Sequence, residues 1–130
     1  MYEPIRTRPV AHRMGDVEAD QPHISRGEAL DIQLAGHLAA LLAVTEELGL
    51  HEGADAIAAQ VARLRGAQPP RSPRHDAAES AGLHQRAHDL AARVLLVAAS
   101  RADTTVAILA AERMDAHAAA MESLDLAGAH

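Results

Sequence analysis

Apolar residues recur along most of this chain at the spacing of an α-helix, in four separate stretches. The first stretch begins at Ser25, which has the capping-box spacing to Glu28, and its apolar side chains repeat every three or four residues until Gly49. Three further stretches follow, and each is amphipathic in the same way. The pattern therefore predicts an all-α protein with helices at about 25–48, 52–65, 76–100 and 103–125.

The connections between these helices favour an up-down four-helix bundle, with helices one and three parallel. Two connections are short, and the third is the proline-rich stretch GAQPPRSPR, in which a regular helix cannot continue. An alternative concerns the last two helices. No Gly or Pro separates Arg93 from Leu124, so one long bent helix shared across a dimer also fits. A change of phase in the apolar stripe near Asp103 favours a break there.

Composition and charge fit a single domain preceded by an arm. Residues 1–24 combine three prolines with charges of both signs, which predicts a flexible arm before one helical domain over 25–130. The absence of Cys excludes disulfides and thiolate catalysis. A net charge of −6 disfavours nucleic acid as a partner. No apolar run approaches the roughly 20 residues of a membrane span, so we expect a cytoplasmic protein with no membrane partner.

Histidines interrupt the apolar stripes where a bundle normally has Leu or Ala. His37 and His117 each lie at the centre of a stripe, and His84 and His88 lie one turn apart on the third helix. If helices one and three are parallel, all four imidazoles lie in one layer. Neutral imidazoles bind Zn, Cu, Ni and Fe, so these four residues form a candidate metal site.

The alternative is that these histidines bind no metal, and are either polar core positions or solvent-facing residues. Burial would then lower their pKa values, because it disfavours the charged form of the ring. This interpretation predicts a fold that loses stability as the pH falls from 7 to 5.

Two families of metal-binding bundles have a similar histidine pattern. The segment HQRAH at 84–88, followed by His117 and Glu122, resembles hemerythrin-like domains, and His37 with the same segment resembles DinB-like bundles. Either resemblance implies a four-helix bundle with metal in its interior. The chain lacks the His-x-x-x-Glu motif of hemerythrin-like domains, because the corresponding segment starts at His51 and has Asp55 in place of Glu. It also lacks the aromatic residues that are typical of both families. These departures leave it unassigned to either one.

No catalytic motif accompanies these residues, since the serines lack a nucleophile-elbow context and no Gly-rich loop follows a strand. Arg113, next to Met114 in its stripe, is a candidate anion-binding group. The short second helix leaves part of the core uncovered, and the segment 94–99 is apolar all round. We therefore expect a non-catalytic helical-bundle protein for protein–protein interaction or oligomeric scaffolding, with a homodimer or a helical protein as partner. The alternative is a metal-binding four-helix bundle with a His-rich interior site.

Overall fold

A computed structural model describes residues 24–71 and 80–128 of this chain. These residues form four helices: α1 (Arg26–Glu47), α2 (His51–Arg65), α3 (Ser80–Arg101) and α4 (Thr104–Gly128). The helices pack against each other, so the predicted all-α four-helix bundle is confirmed. The arm predicted at 1–24, except for its last residue, and the predicted start of the third helix at 76 lie outside the described residues.

The first two helices begin and end where the sequence predicted, for local reasons. At the start of α1 the Glu28 N–H donates to Ser25 Oγ at 3.1 Å, and the Ser25 N–H donates to Glu28 Oε1 at 2.8 Å. This is the complete capping box. Gly49 and Gly66 follow α1 and α2 with φ of 75° and 74°. That left-handed conformation ends a helix at little cost only where no Cβ is present.

A tight turn at Ala102 separates α3 from α4. Ala102 has a φ of 58°, which reverses the chain even though Ala disfavours this conformation. The next residue, Asp103, caps α4, because its Oδ1 accepts a hydrogen bond from the Val106 N–H at 3.1 Å. The alternative of one long helix is therefore wrong. A capping Asp after one left-handed residue is sufficient to break the helix without Gly or Pro.

Ion pairs near the helix ends show the directions in which the helices run. Arg101, the last residue of α3, binds Asp31 near the start of α1, with Nε 2.9 Å from Oδ1. α1 and α3 are therefore antiparallel, and the prediction that they run parallel is wrong. The cause is the connection after α2, which returns along α1. An ion pair holds it there, with Nε of Arg71 2.6 Å from Oε2 of Glu46. α3 consequently starts at the end of the bundle where α1 finishes.

The core lies between α1 and its two neighbours and continues between α3 and α4. α1 packs against α2 and α3, and α3 packs most closely against α4, whereas α4 touches α2 only lightly. The largest fully buried apolar side chains are Leu34, Leu38, Leu41, Leu42, Ile57, Val61, Val94 and Val106. Small residues such as Ala87, Ala91 and Ala110 let the helices approach closely. The seam between α2 and α4 is thus the loosely packed edge of the bundle.

Among the described helices, α1 is long and apolar enough to cross a membrane, judged by length and composition alone. Core helices of globular proteins have the same property. Leu34, Leu38 and Leu41 of α1 are fully buried against the rest of the bundle. One third of the most apolar stretch of α1 is buried in the bundle.

Candidate functional site

Two of the four predicted histidines meet between α3 and α4. Nδ1 of His84 lies 2.9 Å from Nδ1 of His117, and the ring centroids are 5.1 Å apart. Both residues lie at similar distances along the chain from the turn at Ala102, so the antiparallel helices bring them together. A nitrogen–nitrogen hydrogen bond of this length requires a proton on one Nδ1 and none on the other. The two rings therefore share one proton.

The other two predicted histidines are placed differently. His88 lies one turn after His84, and 29% of its side chain is exposed. A positive charge on His88 lowers the pKa of His117. His37 is partly buried on α1. Because Asp31 of the antiparallel α1 binds Arg101, His84 is level with about residue 48, and His37 lies roughly 16 Å from that level along the bundle axis. The prediction of one layer with four imidazoles is therefore wrong, since it depended on parallel helices.

The positions of the histidines and of Arg113 limit how a metal ion could bind at the predicted site. Within 24–71 and 80–128, no group of three or more His, Cys, Asp or Glu side chains is placed to hold a metal ion. His84 and His117 together offer two nitrogen atoms, and a metal bound to both Nδ1 atoms would have to displace their shared proton. The permanent charge of Arg113, one turn before His117, repels a second cation. Metal binding by His37, His84, His88 and His117 stays a prediction.

The surroundings of His117 favour its neutral form. The residue is 0% exposed. Burial, and then the charges of Arg113, His84 and His88, lower the pKa of His117 from 6.5 to about 4. Burial and the charge of Arg113 also lower the pKa of His84. Both rings are therefore neutral at neutral pH, in agreement with a shared proton.

Arg113 extends from α4 to the first turn of α2. A Cβ added at Gly53 would lie 2.9 Å from Cζ of Arg113 and 3.0 Å from Nη1, so the guanidinium fills the space that a side chain at this position would need. α2 begins after Leu50 without a side-chain cap. Nε of Arg113 and Nε2 of His117 are both buried, and neither has a hydrogen-bond partner among the described residues. This site thus contains two buried polar atoms that the described protein groups leave unsatisfied.

Sequence reasoning identified the histidines and Arg113 but missed Gly53. The available signal was weak: a glycine in the first turn of a helix, where its low helix propensity is disadvantageous unless another group needs the space. The sequence does not show which group that is, because Arg113 is 60 residues away along the chain. Only the packing of α4 beside α2 reveals the relation.

Comparison of the chain with protein-family models, with curated proteins and with solved structures gives no match. The hemerythrin-like and DinB-like spacing of the histidines therefore gains no support from these comparisons. A bundle fold alone is compatible with many functions.

Proposed function

We propose that this protein is a non-catalytic helical bundle that acts by associating with other helices, and that its partner is a second copy of itself. The observation that carries the proposal is a pair of exposed apolar side chains on the outer face of α3 and α4. Leu96 is 70% exposed and Ile108 is 55% exposed. Each is six residues from Ala102, so the two lie level on neighbouring antiparallel helices.

Three alanines lie on the same face as this pair. Helical spacing places Ala92 and Ala99 on the same face of α3 as Leu96, and Ala111 on the same face of α4 as Ile108. We call these five residues the apolar patch. Exposed apolar area favours association, and alanine allows two helices to approach closely. The apolar patch is thus suited to contact with a partner's helices.

Charges beside the apolar patch make it complementary to itself. Arg93 and Glu112 are exposed, lie at nearly the same level, and form no ion pair among the described residues. In a dimer whose two-fold axis runs parallel to the helices, α3 of one copy lies over α4 of the other at the same level. Leu96 then contacts Ile108 of the partner subunit, and Arg93 faces Glu112 of the partner subunit. Exposed pairs of this kind set the register more than the affinity.

The same register limits how far the contact extends. Asp89 and Asp115 lie level with each other, further from the Ala102 turn, and both are exposed. The two-fold arrangement would bring these carboxylates together across the interface, where like charges repel. The contact is therefore confined to the half of the helical hairpin nearest Ala102. A contact of this small size is typical of reversible association.

Sedimentation equilibrium of the full chain over a wide concentration range tests the proposal. We expect a reversible monomer–dimer equilibrium, and we expect Leu96→Glu to shift it to the monomer by placing a desolvated charge in the apolar patch. The matched control is Leu126→Glu, because Leu126 is 65% exposed but lies at the other end of α4. A wild-type protein that stays monomeric at its highest soluble concentration would overturn the proposal.

A charge exchange tests the register of the dimer separately. Arg93→Glu should weaken dimerisation, since it places two acidic groups opposite each other. Adding Glu112→Arg should restore the wild-type affinity, because both pairs across the interface are again of opposite charge. If the double variant is as weak as Arg93→Glu alone, the two helices do not meet in this register.

A further inference from the structure

We propose that the first turn of α2, together with Arg113 and His117 of α4, forms a binding site for a small oxyanion, either inorganic phosphate or a carboxylate. This site lies at the seam between α2 and α4, away from the apolar patch on α3 and α4. The proposed oxyanion site is therefore independent of the proposed dimer.

The start of α2 and Arg113 are both electropositive. The first turn of a helix has unpaired N–H groups and a partial positive charge, and α2 has no side-chain cap. The guanidinium of Arg113 lies against Gly53 in this turn. Arg113 has no ion-pair partner among the described residues, and Glu52 in the same turn is exposed and does not pair with it. Two positive groups held together repel each other, whereas an anion that lies beside both is stabilised by both.

His117 adds a buried nitrogen without a partner. This residue is fully buried, and its Nε2 has no hydrogen-bond partner among the described residues. Nδ1 of the ring faces His84 on α3. Because the two ring nitrogens point in roughly opposite directions, Nε2 points away from α3. Nε of Arg113, one turn earlier on the same helix, is buried and unsatisfied as well. Buried polar groups normally have partners, so these two donors fit a bound group that carries acceptor atoms.

An anion at this position also assigns the protons of the histidine pair. His117 would donate from Nε2–H to the anion, which leaves its Nδ1 as an acceptor. His84 would then donate from Nδ1–H to Nδ1 of His117, as the 2.9 Å separation of these atoms allows. Both rings stay neutral in this arrangement, and the buried Nε2 of His117 gains a partner.

The donors define the class of ligand. A guanidinium, main-chain amides and an imidazole N–H are all hydrogen-bond donors, which suits the several acceptor oxygens of a phosphate or carboxylate group. Arg113 is only partly buried at the lightly packed seam between α2 and α4, so an anion reaches the site by way of the guanidinium. Gly53 is part of the site, since a side chain there would push the guanidinium away from the first turn of α2.

NMR titration of the full chain with inorganic phosphate, acetate or chloride, at constant ionic strength and neutral pH, tests this inference. We expect saturable shifts for phosphate, acetate or both at the amides of Glu52 and Gly53 and at Nε2 of His117. The difference between the phosphate and acetate arms identifies the preferred oxyanion. Arg113→Gln should weaken binding at least tenfold, whereas Arg86→Gln, which changes an exposed arginine on α3, should leave it unchanged.

Gly53→Ala separates loss of the site from loss of the fold. Alanine has the higher helix propensity, so the thermal midpoint should stay the same or rise, while oxyanion binding weakens because the guanidinium is displaced. Shifts that do not saturate, or that persist unchanged in Arg113→Gln, would overturn the proposal. So would saturable binding of Zn²⁺ that is lost in His84→Ala, with no response to any of the three anions. That result would instead favour the metal site.

Discussion

Acid should weaken this fold, because His117 is buried where it cannot easily take up a proton. The residue is 0% exposed and its pKa is about 4, against an ordinary value of 6.5. In the unfolded chain the ring returns to its ordinary pKa, so the unfolded state binds the proton first as the pH falls. The stabilisation is therefore complete above pH 6.5 and is lost as the pH falls towards 4.

The size of the effect follows from the two pKa values. The pKa of His117 falls from 6.5 to about 4. At roughly 1.4 kcal/mol per pKa unit, the free energy of unfolding should fall by about 2 kcal/mol between pH 7 and 5, and by about 3 kcal/mol at pH 4. His84 acts in the same direction, since burial and Arg113 lower its pKa too. This is a large part of the total stability of about 5–15 kcal/mol expected for a domain.

Asp103 does not contribute in this pH range. Burial raises the pKa of this carboxyl, but hydrogen bonds from Arg63 and from the Val106 N–H lower the pKa overall to below 3.8. A carboxylate with a lowered pKa stabilises the fold above its ordinary pKa, and that stabilisation is lost only as the pH falls below about 4. The interval from pH 7 to 5 therefore reports on the histidines.

Urea unfolding followed by far-UV circular dichroism at pH 7, 6 and 5, at one protein concentration and one ionic strength, measures the effect. In His117→Leu most of the pH dependence should disappear, because the group that titrates is gone. The control is His51→Gln at the exposed start of α2, which should keep the wild-type dependence. An unfolding free energy that is equal at pH 7 and 5, or a decline that persists undiminished in His117→Leu, would refute this reasoning.

Two further predictions concern the turn between α3 and α4. Ala102→Gly should keep or raise the free energy of unfolding, by up to about 1 kcal/mol, because glycine relieves the left-handed strain. Ala99→Gly within α3 should lower it by about 1 kcal/mol. A lower unfolding free energy for Ala102→Gly, or a higher one for Ala99→Gly, in urea unfolding would contradict this account of the turn. Asp103→Ala should lower the unfolding free energy by about 1 kcal/mol through loss of the cap of α4, and an unchanged midpoint in thermal unfolding would show that this cap contributes nothing.

The helices were predictable because their signals are local. The capping box at Ser25, the glycines after α1 and α2, and the apolar period of each stretch all act within a few residues. The break before α4 was predicted from the change of phase near Asp103, and its cause, the left-handed Ala102, was not visible in the sequence. Backbone strain at a single alanine depends on the helices on both sides of it.

The candidate site was predictable only in part. The sequence identified His84, His117 and Arg113 as unusual, because each belongs to or adjoins an apolar stripe. It misplaced His37, because the direction of α3 relative to α1 depends on where residues 66–71 lie, and Arg71 determines this by binding Glu46. It gave only a weak indication of Gly53, whose partner is distant in sequence.

By itself, the sequence determined that the chain forms four helices, which faces of them are buried, and that histidines enter the apolar interior. Periodicity and capping are properties of one helix at a time, so they can be read from consecutive residues. The antiparallel packing of α1 on α3, the hydrogen bond between His84 and His117, and the position of Arg113 at the start of α2 were decided only by the tertiary structure. Each depends on the register between helices, which is set by ion pairs and close contacts between residues far apart in the chain.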